Sequence, residues 1–69
     1  MTIQINGKNE DVPAELTIKG LLAHRNVDSP NMVSVELNGT ILQRVEFATQ
    51  RVNEGDVIEF LYFMGGGRS

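Results

Sequence analysis

The chain has no cysteine and no tryptophan, a single histidine, and only three phenylalanines and one tyrosine. Without cysteine there is neither a disulfide framework nor a thiolate metal site, so stability has to come from packing alone. Basic side chains are also scarce. Six Lys and Arg face nine Asp and Glu, a formal charge of −3 spread along the chain. A nucleic-acid surface is expected to carry a basic stripe, and this distribution fits a positively charged protein partner better. Phe60, Tyr62 and Phe63 are too few, and too apolar in setting, for base stacking. No apolar run approaches the roughly 18 residues of a membrane span. The start, Met1-Thr2-Ile3-Gln4-Ile5, lacks the positive flank and long apolar stretch of a secretory signal. The expectation is a cytoplasmic protein that binds neither membrane nor nucleic acid and is monomeric when free. At 69 residues it makes one small domain, burying roughly 60% of the surface its unfolded chain exposes and leaving little room for a deep catalytic pocket.

What is present is regular. Thr2-Ile3-Gln4-Ile5 alternates polar with β-branched residues and meets Asn6-Gly7, a dipeptide that tolerates positive φ at both positions and favours a tight hairpin. The return passes through Glu10-Asp11-Val12 and stops near Pro13, which has no N–H to give a ladder. Thr17 stands where a helix cap would, with Leu16 before it and Leu21 at the fourth helical position, placed to staple the entry. Ile18, Leu21 and Leu22 form one apolar face of a helix of two to three turns, ended by Asn26, Ser29 and Pro30. Gly20 inside it costs about 1 kcal/mol against alanine, a cost that close approach of helix to sheet would explain. Val33-Ser34-Val35-Glu36-Leu37 alternates again into Asn38-Gly39, after which Ile41 and Leu42 begin another strand. Val45 to Val52 has no readable period, and Asn53-Glu54-Gly55-Asp56 is a turn cluster before a last strand.

One helix between two hairpins, followed by a final strand, predicts an α+β fold: a mixed four- to five-stranded sheet packed on one helix, the ubiquitin-like β-grasp arrangement. By analogy with that fold, the first and last strands lie parallel at the sheet centre. In the last strand Ile58, Phe60 and Tyr62 share one face, while Val57, Leu61 and Phe63 share the other with Glu59. A single helix covers only one face, and alternation does not say which, so apolar residues on the other either form an exposed patch of the kind that marks interaction surfaces or lie under loops. Residues 1–64 are expected to form the β-grasp domain and 65–69 a flexible tail. Gly65, Gly66 and Gly67 have no Cβ and fit a channel too narrow for side chains. Five extended residues reach about 17 Å.

Asn6-Gly7, Thr17 with Leu21-Leu22, Val33-Ser34-Val35-Glu36-Leu37-Asn38-Gly39, Glu54-Gly55-Asp56-Val57-Ile58-Glu59-Phe60 and the closing glycines resemble the ThiS family of sulfur-carrier proteins of thiamine biosynthesis. The resemblance spans essentially the whole chain. The sulfur-carrying subunit of molybdopterin synthase shares the fold and a Gly-Gly end but is less similar in these segments. The resemblance implies that the carboxylate of the final glycine is adenylated by an ATP-dependent enzyme of the ubiquitin-activating type. Sulfur from a cysteine desulfurase or another donor then gives a thiocarboxylate, which thiazole synthase uses to build the thiazole ring. The chain itself is then a protein cosubstrate, not an enzyme, and needs no cofactor or metal. Mapped onto this sequence the reactive residue is Gly67, with Gly65, Gly66, Met64, Phe63 and Leu61 contacting partners. Family members end in Gly-Gly, whereas here Arg68-Ser69 follows Gly67 and blocks it. The dipeptide is either trimmed by a protease, as in ubiquitin-like precursors, or is a remnant of recombinant expression. Other readings of the same end are a carrier for molybdopterin, cysteine or homocysteine synthesis, a ubiquitin-like modifier joined to lysine, or an interaction module with an inert tail.

The remaining polar residues have plainer explanations. His24 has no second histidine or cysteine with which to share a metal and suits a helix terminus. Glu36 and Glu59 would form a carboxylate pair on neighbouring strands, though solvated strand faces explain them as well. Arg44 and Arg51 would steer an acidic partner patch or simply lie on the surface.

Overall fold

The computed structural model describes residues 1–27 and 30–62. Strand β1 (Thr2–Ile5) turns at Asn6-Gly7, with φ of 49° and 84°, into the antiparallel strand β2 (Lys8–Asp11). Helix α1 (Ile18–His24) follows. A 3₁₀ turn (Pro30–Met32) leads into β3 (Val33–Leu37), and Asn38-Gly39, with φ of 49° and 87°, reverses the chain into β4 (Thr40–Ile41). A second 3₁₀ turn (Arg44–Glu46) precedes β5 (Val57–Tyr62). The strands run in the order β2-β1-β5-β3-β4, with β5 in the middle, parallel to β1 and antiparallel to β3. The mixed five-stranded sheet on one helix is the β-grasp arrangement expected from the sequence.

The inner face of the sheet takes Ile3 and Ile5 from β1, Val33 and Val35 from β3, and Ile58 and Phe60 from β5, all buried. Ile18, Leu21 and Leu22 of α1 meet them at helical spacing. Thr17 caps the helix as anticipated, its Oγ1 accepting the Gly20 N–H at 3.1 Å. Gly20 itself departs from expectation. A Cβ there would lie 3.2 Å from Leu16 Cδ2 and 3.5 Å from Thr17 Oγ1. The crowding comes from the cap and the preceding leucine, not from the sheet.

Two segments read incompletely from sequence have clear roles. β4 ends at Ile41, one residue earlier than anticipated, because Leu42 turns to pack against the core while its N–H still reaches the Val35 carbonyl at 2.9 Å. The aperiodic stretch before β5 supplies buried Phe47 and Val52. Its carbonyls also serve the helix start, the Ile18 N–H bonding Gln50 O at 2.9 Å and the Lys19 N–H bonding Phe47 O at 2.8 Å. Those are two of the donors that every helix N-terminus leaves without an intrahelical partner.

Candidate functional site

Strand alternation decides which β5 side chains remain available. Ile58 and Phe60 point under the helix, so Val57, Glu59 and Leu61 stand on the outer face, which no described element covers. The register sets Leu61 opposite Ser34, Glu59 opposite Glu36, Glu36 opposite Ile41, and Val57 beside Gln4. The outer face thus carries Val57 (38% exposed), Leu61 (44%) and Ile41 (54%) around two carboxylates. Tyr62 shares the inward parity of Phe60 but lies at the end of the sheet, 53% exposed. Of the partner-contacting residues expected from sequence, Leu61 lies on this surface. Phe63, Met64, Gly65, Gly66, Gly67, Arg68 and Ser69 lie outside the described residues.

Glu36 and Glu59 do fall on neighbouring strands, directly across the β3–β5 ladder. Cross-strand neighbours stand about 4.5–5.5 Å apart at Cβ, and like charges so placed repel. Neither forms an ion pair among the described residues. Ser34 shares this face two residues from Glu36, but no histidine lies beside the pair among the described residues, and the two carboxylates form a charged patch among mixed polar and apolar neighbours.

Both turn asparagines brace β5, a role missed in the sequence, where they read only as turn formers. The Phe60 N–H donates to Asn6 Oδ1 at 2.8 Å, and the Asn6 N–H donates to Ile58 O at 3.0 Å. On the other flank the Val57 N–H donates to Asn38 Oδ1 at 2.8 Å, and the Asn38 N–H donates to Val57 O at 2.7 Å. Asn38 Nδ2 adds a bond to Asp56 Oδ1 at 3.1 Å. An amide side chain offers both donor and acceptor, and its tolerance of positive φ lets one residue make the turn and hold the strand. The signal was the repeated choice of Asn at the first turn position.

The other polar residues serve the fold. The Arg44 guanidinium donates to the carbonyls of Asn31 (2.6 Å) and Val33 (2.8 Å) and lies 5.5 Å from the Phe47 ring centroid. The Arg51 backbone pairs with Thr17 beside the helix start, and its side chain is exposed. Arg25, the residue after α1, pairs with Glu10 of β2. His24 is exposed in the last helical turn. A groove of about 600 Å³ opens on the helix side between Leu22, Val27, Arg44 and Phe47, with Lys19 at its lining but no hydroxyl, carboxylate or imidazole among the described lining residues. Among the described residues no acidic, histidine or cysteine group gathers as a metal site, and no helix is long and apolar enough to cross a membrane.

The ThiS family matches residues 3–67. A crystal structure of the thiamine biosynthesis protein ThiS from Geobacter metallireducens superposes with a TM-score of 0.87 at 43% identity, covering 97% of this chain and 100% of that one. Thiazole synthase from Paramagnetospirillum magneticum is 39% identical over 97% of this chain. Thiazole synthase from Magnetococcus marinus is 34% identical over 99% of it. The chain spans only about a fifth of those two relatives, 20% and 21% of their lengths.

Proposed function

The chain belongs to the ThiS family, and from that premise we propose that it is a sulfur carrier of thiamine biosynthesis whose chemistry takes place at the carbonyl carbon of Gly67. The observation that carries this reading is that the family match runs through the glycines and stops at Gly67, leaving Arg68 and Ser69 outside it. The structure supports it from the other side. The outer face of the sheet around β5 exposes Val57, Leu61 and Ile41 among polar residues, and no described element covers it, which suits a surface gripped by a partner.

The chemistry follows from the weakness of a carboxylate as an electrophile. After loss of Arg68-Ser69, a Gly67 carboxylate oxygen attacks the α-phosphorus of ATP on an adenylating enzyme of the ubiquitin-activating type, and pyrophosphate leaves. A sulfur nucleophile then attacks the Gly67 carbonyl carbon, and the C–O bond to AMP breaks. With a hydrosulfide donor the product is the thiocarboxylate. With a persulfide from a cysteine desulfurase it is an acyl disulfide, whose S–S bond a second thiol cleaves with formation of a disulfide. In either route one carboxylate oxygen departs in AMP and a sulfur replaces it. The chain supplies the electrophile and the surface by which it is gripped; its partners supply every other reacting group.

Thiazole synthase is the proposed sulfur acceptor. Stretches similar to this chain occur within two thiazole synthases, and carrying both units on one chain raises the effective concentration of one for the other. Leu61 on the outer face, with Phe63, Met64, Gly65 and Gly66 beyond it, forms the proposed contact with the activating enzyme and the acceptor. The test uses protein ending at Gly67, incubated with an adenylating enzyme of this type, ATP and a sulfur donor, then weighed intact. A gain of about 16 Da, sulfur for oxygen in the acyl substitution, is expected. An unchanged mass, or conjugates linked through lysine, overturns the proposal.

A further inference from the structure

β5 is longer than the strand it lies beside. Its parallel pairing with β1 covers only Gln4↔Val57 and Ile5↔Ile58, after which β1 leaves the sheet at Asn6-Gly7. On the opposite flank β3 accompanies β5 as far as Val33↔Tyr62. The Val57 backbone faces β3 through its bonds to Asn38, and the Ile58 backbone faces β1 through its bond from Asn6. By alternation, the even-numbered residues direct their N–H and C=O toward the β1 side. Among the described residues the Phe60 N–H is the last group there with a partner, Asn6 Oδ1. The Phe60 carbonyl and the Tyr62 N–H lie one step further along, and neither has a partner among the described residues.

We propose that this short open stretch of β5 is a docking edge, where an extended backbone segment of the adenylating enzyme adds as a strand beside Phe60 and Tyr62. The proposal rests on the sulfur-carrier reading above. An acceptor at one residue and a donor two residues on is the repeat that an extended chain matches. Only two groups are open, and a backbone hydrogen bond contributes little net free energy once water is displaced, so the edge cannot hold two copies of this chain together by itself. It suits an interface already anchored elsewhere, and Leu61 on the adjoining outer face offers that anchor. Its use is to fix the tail in register. With the Tyr62 backbone held, the Gly67 carbonyl lies at most about 17 Å further along an extended chain, and the search for the reactive geometry shrinks accordingly.

Amide hydrogen exchange on the chain ending at Gly67 tests this, first free and then bound to the adenylating enzyme with ATP, quenched and read residue by residue. The Tyr62 amide is expected to exchange freely alone and to slow by at least about tenfold in the complex, the protection of one backbone bond at an interface. Tyr62→Pro removes that N–H on the side where no ladder bond is lost and should slow adenylation, followed by ATP–pyrophosphate exchange, by about tenfold with the folded amide spectrum retained. A Tyr62 amide already protected in the free chain shows the edge covered by the chain's own tail or by a second copy, and overturns the proposal. An amide left unprotected in the complex overturns it too, whether or not Tyr62→Pro folds. If the unsubstituted chain gives no pyrophosphate exchange, the sulfur-carrier reading falls with it; if exchange is normal and Tyr62 stays unprotected, only the docking edge falls.

Discussion

At the scale of single residues, Asn6 joins a turn to the centre of the sheet. It holds φ of 49° and its Oδ1 is the acceptor for the Phe60 N–H. Asn6→Ala leaves that donor without a partner, costing about 1–3 kcal/mol, and adds about 1 kcal/mol for alanine in the left-handed region. Asn6→Asp keeps both the acceptor and the tolerance of positive φ and should cost much less. Urea denaturation of the two variants checks the order, and equal losses would assign the whole effect to the turn. Gly66 poses the opposite case. If it passes through a partner's narrow channel as proposed, Gly66→Trp should leave the melting temperature unchanged and reduce thiocarboxylate formation by about a hundredfold, the effect of misplacing a reacting group by about 1 Å. A variant activated at the normal rate would remove the reason for the glycines.

Among the elements, the β3–β5 ladder carries a built-in conflict. Glu36 and Glu59 face each other on the outer surface with no cation paired to either among the described residues. Glu59→Gln should therefore stabilise the free chain, by about 0.2–1 kcal/mol, and by more at low salt than at high salt, because screening already relieves exposed charges. Urea midpoints at two ionic strengths decide it; a destabilised variant would show that the carboxylates are not in conflict. This pairing was only half legible in the sequence. Alternation in Val33–Leu37 and Val57–Tyr62 identified the strands and their faces, but which Glu opposes which depends on register, and register is fixed by contacts distant in sequence. The Asn-Gly turns and the Thr17 cap were readable because their signals are local. The stretch from Val45 to Val52 was not, because its shape is set by the helix terminus it serves and by the core places of Phe47 and Val52. For the site, one helix for two sheet faces implied that one apolar face of β5 lacks a helix, but which face is buried, and so the exposure of Leu61, is decided by tertiary packing. The bracing of β5 by Asn6 and Asn38 was not legible, since a hydrogen bond spanning 54 residues leaves no periodic trace.

Across the whole molecule, a small core leaves little margin. Phe60 is buried under the helix in the central strand, and removing such a ring costs about 3–5 kcal/mol. Native stability is only about 0.05–0.15 kcal/mol per residue, which for a chain of 69 residues is of similar size. Phe60→Ala is expected to be largely unfolded by circular dichroism at room temperature. A folded variant would mean that the core has more reserve than its twelve buried apolar side chains among the described residues imply. Leu61→Ala, one position along and on the outer face, should change stability by no more than about 0.5–1 kcal/mol.

The central position of β5 also has a mechanical side. A partner that pulls on the chain beyond Tyr62 loads a strand flanked by β1 and β3, one parallel and one antiparallel. Tension along that axis shears two ladders at once, whereas an outer strand such as β2 or β4 is held by one ladder alone. The handle by which this molecule is drawn is fastened to the strand hardest to extract, so the body can bear the strain of having its end reeled in without coming apart.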